Sequence, residues 1–201
     1  MFRGRETSTR TGDRGAVLVE FAIFAPVLVL LLIGLLEYGL AWSDSQQAAG
    51  ALANGARVTS NLGPEVTADY QGLSAFEAEL DDIDNTRIDR VVIYEADSAG
   101  GDIPESCKTS DDASVWDSLN CNVYTGSQID SMTASDFTDE DCSGQPDQYW
   151  CPSERDEDQL SADFVGMWVS ITYEWKSGLF PGNGLTIEDR GVFRIEPPLD
   201  D

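Results

Sequence analysis

The apolar positions of this chain fall into three patterns, and each predicts a different element. The first is an unbroken run. Residues 16–42 read AVLVEFAIFAPVLVLLLIGLLEYGLAW, with Glu20 and Glu37 as the only charges. The stretch between those glutamates, residues 21–36, rises roughly 24 Å as a helix. Its apolar flanks bring it to the ~30 Å of a bilayer hydrocarbon core. Tyr38 and Trp42 stand where an interfacial aromatic belt belongs. A cleaved secretory signal is the competing reading. It fits poorly, because the run is long, a carboxylate interrupts its start, and Trp42 crowds the one small-residue site near its end.

The second pattern has helical spacing. In residues 43–60, Ala48, Ala49, Leu52, Ala56 and Arg57 fall on one face, so the membrane helix is expected to continue as an amphipathic stalk. Gly50 and Gly55 oppose this by ~1 kcal/mol each, although small residues also let helices approach closely. An ordinary Ala-rich helix covering a sheet fits the pattern equally. The Asn-Leu-Gly-Pro step at 61–64 ends it. A second helix with an acidic face is predicted over 73–83.

The third pattern is that of strands. Residues 88–96, IDRVVIYEA, form a β-branched run. Residues 164–175 place Val165, Met167, Val169, Ile171, Tyr173 and Trp175 on one side, and 185–195 repeat strand grammar after a Pro-Gly-Asn-Gly turn. Three antiparallel strands covered by the stalk helix are expected.

Charge gives the chain a direction. Residues 1–14 hold four arginines against Glu6 and Asp13, whereas the remainder carries 8 basic and 35 acidic residues. Arginines before the apolar run put residues 1–15 in the cytoplasm, residues 16–42 across the membrane and residues 43–201 outside. Within that body, residues 97–163 contain 17 acidic residues and only Lys108 and Arg155 as basic ones. All four cysteines lie there, which reads as an acidic insertion held by disulfides in an oxidising compartment. Four cysteines allow three pairings. Neighbour pairing, Cys107 with Cys121 and Cys142 with Cys151, closes the shortest loops and is the expected one.

Several chemistries are disfavoured. A net charge of -25 is wrong for nucleic acid, whose phosphates need a basic surface. The absence of histidine removes Ser-His-Asp and Cys-His catalysis and His-ligated zinc. With no CxxC either, no zinc site is expected. Chance pairs among so many carboxylates do not mark a glycosidase, and no cofactor or catalytic residue is assigned. One acidic segment imitates a calcium loop: Asp139, Asp141, Ser143 and Asp147 stand at positions 1, 3, 5 and 9, with Gly144 at 6. Trp150 occupies position 12, where a bidentate Glu belongs. A solvated acidic turn is the simpler reading.

The remaining oddity is Glu20, a carboxylate inside the apolar run. Gly15, four residues, Glu20 and Phe21 follow a basic leader. This resembles the processing site of type IV prepilins, where cleavage after the glycine makes the glutamate the fifth residue of the mature chain. A freed ammonium and that carboxylate can neutralise each other between packed helices in low dielectric. The run resembles more narrowly the signature of TadE-like proteins: Arg14-Gly15, Val19-Glu20-Phe21-Ala22, Pro26, the Leu-rich 28–32, then Gly34 and Glu37, with Gly55-Ala56-Arg57 continuing it. The resemblance implies a pilin-like α+β fold, a long transmembrane helix continuing into a stalk and packed on a small antiparallel sheet. It implies a minor subunit of a tight-adherence (Flp) pilus system, acting in pilus assembly and surface adhesion, without enzymatic activity. Its partners would be the membrane, a prepilin peptidase cutting between Gly15 and Ala16, other pilin-like subunits and the assembly machinery. The acidic insertion is not part of that family pattern. The alternative is a single-pass surface protein that is not processed, carrying a binding module or hydrolase outside.

Overall fold

The computed structural model describes residues 13–80 and 83–197. The basic leader up to residue 12 lies outside the described residues, as do the side chains of Asp13 and Arg14. By compactness the chain forms two units, Met1–Leu40 and Ala41–Asp201.

In the first unit the described residues belong to one helix, α1 (Asp13–Leu62), which runs on into the second unit. Its apolar part is long enough to cross a membrane by length and composition. The side chains there stand open, with Phe21 69% and Leu35 72% exposed. In water so broad an apolar surface is not tolerated, so the exposure itself asks for lipid or for neighbouring helices. Proline at position 26 lies inside α1. Its missing N–H leaves the Ala22 carbonyl without an intrahelical donor.

The second unit is a four-stranded antiparallel sheet in the order β2-β1-β3-β4, where β1 is Ile88–Ala96, β2 Cys121–Tyr124, β3 Phe164–Glu174 and β4 Gly184–Arg194. Alternation sorts the central strands into two faces. Val91 and Ile93 of β1 join Val165, Met167, Val169 and Ile171 of β3 in the main core. Ala48, Ala51, Leu52 and Ala56 of α1 close that core, with Leu73 and Phe76 of α2 (Ala68–Ala78). This part of α1 is therefore a helix covering a sheet. On the other face Val92, Tyr94 and Trp168 pack with Cys107 and Cys121. The cover there comes from α3 (Glu105–Thr109) and α4 (Ala113–Ser118), and a further short helix, α5 (Gly126–Ser131), follows β2.

Glycines fix how α1 docks. A Cβ on Gly72 would stand 1.8 Å from Thr59 Oγ1, and one on Gly55 would stand 2.9 Å from the Gly72 carbonyl oxygen. The helix cost of Gly55 is thus offset by close approach to α2, whereas Gly50 faces open space. Gly63 then ends α1 with φ +54, its N–H donating to the Thr59 carbonyl at 3.1 Å, the left-handed cap that glycine adopts without strain.

Three differences from the sequence reading have physical causes. The second helix spans 68–78 rather than 73–83, because Gly72, read as a breaker, is a packing residue inside it. β2 was not expected: it has four residues, one of them Asn122, too few for a period-two signal. Residues 97–163 are consequently more than an insertion. They supply an edge strand and the cover of the second face. The cysteines pair Cys107–Cys121, joining α3 to β2, and Cys142–Cys151, closing a loop.

Candidate functional site

The candidate site is built from the first turns of α1. The helix starts at Asp13, so Gly15 and Ala16 lie in its first turn, where backbone N–H groups have no intrahelical acceptor. A Cβ on Gly15 would meet nothing within 4 Å. Glu20 follows on the same helix and is exposed, among exposed Val17, Val19, Phe21 and Phe24. Within this chain, then, neither the glycine nor the glutamate has a packing role. The sequence features that ordinary folding leaves unexplained are a carboxylate in an apolar face and a side-chain-free residue five positions before it. Pro26, Gly34 and Glu37 lie further along the same helix. The family model described as TadE-like protein matches residues 15–57.

These residues are TadE-like. Among curated proteins and among solved structures, none matches this chain. The TadE-like segment starts at Gly15 and ends at Arg57, whose guanidinium lies 5.8 Å from the centre of the Phe193 ring of β4. It therefore contains both the exposed apolar part of α1 and the part that covers the sheet, and none of the acidic region at 97–163.

That acidic region holds the other concentration of chemistry, which sequence reading missed. Asp69 of α2 and Arg155 form an ion pair, Oδ1 to Nη2 2.6 Å, with both side chains wholly buried. The second Asp69 oxygen accepts from Asn122 Nδ2 at 2.8 Å and from the Tyr124 hydroxyl at 2.9 Å. Asn122 Oδ1 accepts the Trp150 N–H at 3.0 Å, and Arg155 Nη2 also donates to the Trp150 carbonyl at 3.2 Å. The guanidinium sits 4.3 Å from the Trp150 ring centre. This network ties the Cys142–Cys151 loop to α2 and β2. Burial and the neighbouring Asp69 carboxylate push the Tyr124 phenol well above its ordinary value. The signal for the network was visible in Arg155, one of two cations among seventeen acids. Its partner, 86 residues earlier, was not.

The calcium-loop candidates are not brought together. Asp139, Asp141 and Ser143 are exposed, whereas Asp147 is fully buried. Among the described residues no three His, Cys, Asp or Glu side chains converge on a possible metal position. Neither Asp147 carboxylate oxygen has a hydrogen-bond partner. Burial first, and then the Asp69 charge, push its carboxyl from an ordinary 3.8 up to about 7, against the opposing attraction of Arg155. A carboxyl raised in the folded state binds more protons there than in the unfolded chain, so folding stability falls as pH rises between those two values. Tm should therefore decline from pH 5 to pH 8, and Asp147→Asn should flatten that decline. A wild-type Tm that rises steadily over this range would show that Asp147 is ionised without penalty.

Proposed function

We propose that this protein is a membrane-anchored, pilin-like minor subunit that takes part in assembling a tight-adherence (Flp) type pilus and in surface adhesion. The observation that carries this reading is the TadE-like segment itself, with Gly15 and an exposed Glu20 at its start and no internal role for either. In this reading residues 1–15 are a cytoplasmic leader, residues 16–42 a membrane span and residues 43–201 an extracytoplasmic domain. A prepilin peptidase removes the leader between Gly15 and Ala16 and leaves the helix in place. The protein has no catalytic task. Its work is done by surfaces, in contact with other pilin-like subunits and the assembly machinery.

The chemistry of assembly follows from the helix. An isolated carboxylate in an apolar layer is costly, and a cation from a neighbour relieves that cost. The cation that cleavage creates is the Ala16 ammonium, four residues before Glu20. One chain's Glu20 would meet a neighbour's terminus as the exposed helices bundle. The Ala22 carbonyl freed by Pro26 gives a bundle one further acceptor to satisfy.

Glu20→Ala tests this reading. The variant should be cut to mature length and remain in the membrane, because neither step uses the carboxylate. Its recovery with partner subunits should fall by roughly tenfold or more, since losing one member of a buried pair costs about 3–5 kcal/mol and each 1.4 kcal/mol is tenfold. Wild-type co-purification of Glu20→Ala would remove the charge-pairing role.

A further inference from the structure

The hairpin joining β3 to β4 is the part of the second unit that the fold does not explain. It reads Trp175-Lys-Ser-Gly-Leu-Phe-Pro-Gly-Asn-Gly-Leu185, and from Trp175 to Ile187 there is no acidic residue in a chain that carries 37. Trp175 stacks between two rings, 5.7 Å from Tyr173 and 5.0 Å from Phe180 by centroids. Beyond this aromatic ladder Leu179 is 57% exposed and Leu185 40%. Apolar residues at a hairpin tip, with Lys176 beside them, are not needed by a core that ends at Tyr173 and Ile187.

Their position gives them a use. Within the second unit α1 runs alongside β4 in the same direction. Ala41 packs with Ile187 and Tyr173, Ala53 and Ala56 lie opposite Gly191, and Gly63 lies opposite Ile195. The hairpin therefore projects from the Ala41 end of the unit. Three residues of strand before Ile187 carry it roughly 10 Å further, and the turn lies beyond them. Ala41 is also where the chain passes directly into the apolar run, and its neighbour Trp42 is 68% exposed. If that run spans the bilayer, this end of the unit is tethered at the bilayer surface. The interfacial layer is only about 5–8 Å deep on each side, taking a ~30 Å core within a total of 40–45 Å. A hairpin reaching farther than that past the tether meets the headgroups.

We propose that the β3–β4 hairpin is a second membrane contact, with Leu179 and Phe180 seated at headgroup depth and Lys176 turned toward lipid phosphate. Aromatic and long basic side chains are the residues that suit this layer, with one apolar part and one wet end. The lack of carboxylates over residues 175–187 lets an otherwise acidic body approach an anionic surface. The contact would hold the headpiece at the bilayer until assembly lifts the subunit out. It rests on the reading of residues 16–42 as a membrane span.

The test uses the full chain, reconstituted in vesicles of phosphatidylcholine and phosphatidylglycerol. Its native cysteines are paired, so an added cysteine takes a spin label selectively. Labels go at Leu179→Cys, at Leu30→Cys within the span and at Leu160→Cys, which is 99% exposed away from the hairpin. Collisions with lipid-soluble oxygen are compared with collisions with a water-soluble nickel chelate. The Leu179 label should lose nickel collisions and gain oxygen collisions relative to the Leu160 label, lying between it and the Leu30 label. An Asn183→Cys label across the turn should shift the same way, and it decides the matter if Leu179→Cys does not fold. A Leu179 label as open to nickel as Leu160, with Leu30 protected, overturns the hairpin contact and leaves the span intact. A Leu30 label open to nickel removes the span and the inference together. Protection of Leu179 from both reagents would mean that protein, such as a second copy, covers the hairpin, and would also overturn the proposal.

Discussion

Replacing Asp69 by Ala should cost the folded state about 3–5 kcal/mol, the range for breaking one side of a buried ion pair. The magnitude follows from what the carboxylate holds. Its oxygens accept from Arg155 Nη2, Asn122 Nδ2 and the Tyr124 hydroxyl, all three buried. Without it, Arg155 keeps the Trp150 carbonyl and the Trp150 ring, but its positive charge is buried without the ionised partner. Asp69→Asn should cost less, because an amide oxygen can still accept while the charge is lost. The nearby Asp147 gives the prediction a second, sharper arm. The Asp69 charge is one cause of its raised pKa and Arg155 opposes it, so removing Asp69 should lower the Asp147 pKa. Asp147 should then ionise and partly neutralise Arg155, so that Asp69→Ala and Asp147→Asn combine non-additively. Urea unfolding of the oxidised protein, single variants against the double, measures both quantities. A loss below about 1 kcal/mol for Asp69→Ala, typical of an exposed pair, would mean that water reaches the network.

Gly15→Leu should abolish maturation, leaving the precursor in the membrane at full length. The expectation is strong because the fold gives the glycine nothing to do. A side chain there would meet no neighbour within 4 Å, so the variant folds and any defect belongs to the cut itself. The bond lies in the first turn of α1, and a peptidase needs it extended. Glycine weakens a helix by about 1 kcal/mol relative to alanine, which favours opening of that turn. Leucine strengthens the turn and also crowds the backbone that the enzyme must reach. Intact mass of the membrane fraction reads the outcome. Normal trimming of Gly15→Leu would show that the glycine is not the recognition element.

The account was legible in the sequence to different depths along the chain. The apolar run needed no context, because nothing but lipid or other helices suits so many contiguous apolar residues. Strands β1, β3 and β4 were read within a residue or so of their ends, since their β-branched runs alternate strongly. Elements whose identity depends on distant partners were not. Asn122 looks like a turn residue until Asp69 and the Trp150 backbone surround it. Gly72 looks like a breaker until Thr59 and Gly55 press against it. Asp147 looks like one more solvated acid, and only tertiary packing makes it a buried one. At the amino-terminal site the position is reversed. Gly15 and Glu20 were legible because the chain's own packing does not use them, so their spacing stands out against the apolar run.

The central claim is that the apolar helix is retained and its leader is cut after Gly15. Amino-terminal sequencing of the protein recovered from membranes tests that claim most directly. Protein beginning at Ala16, with Glu20 as its fifth residue, is the predicted result; protein beginning at Met1, or beyond Trp42, would contradict it.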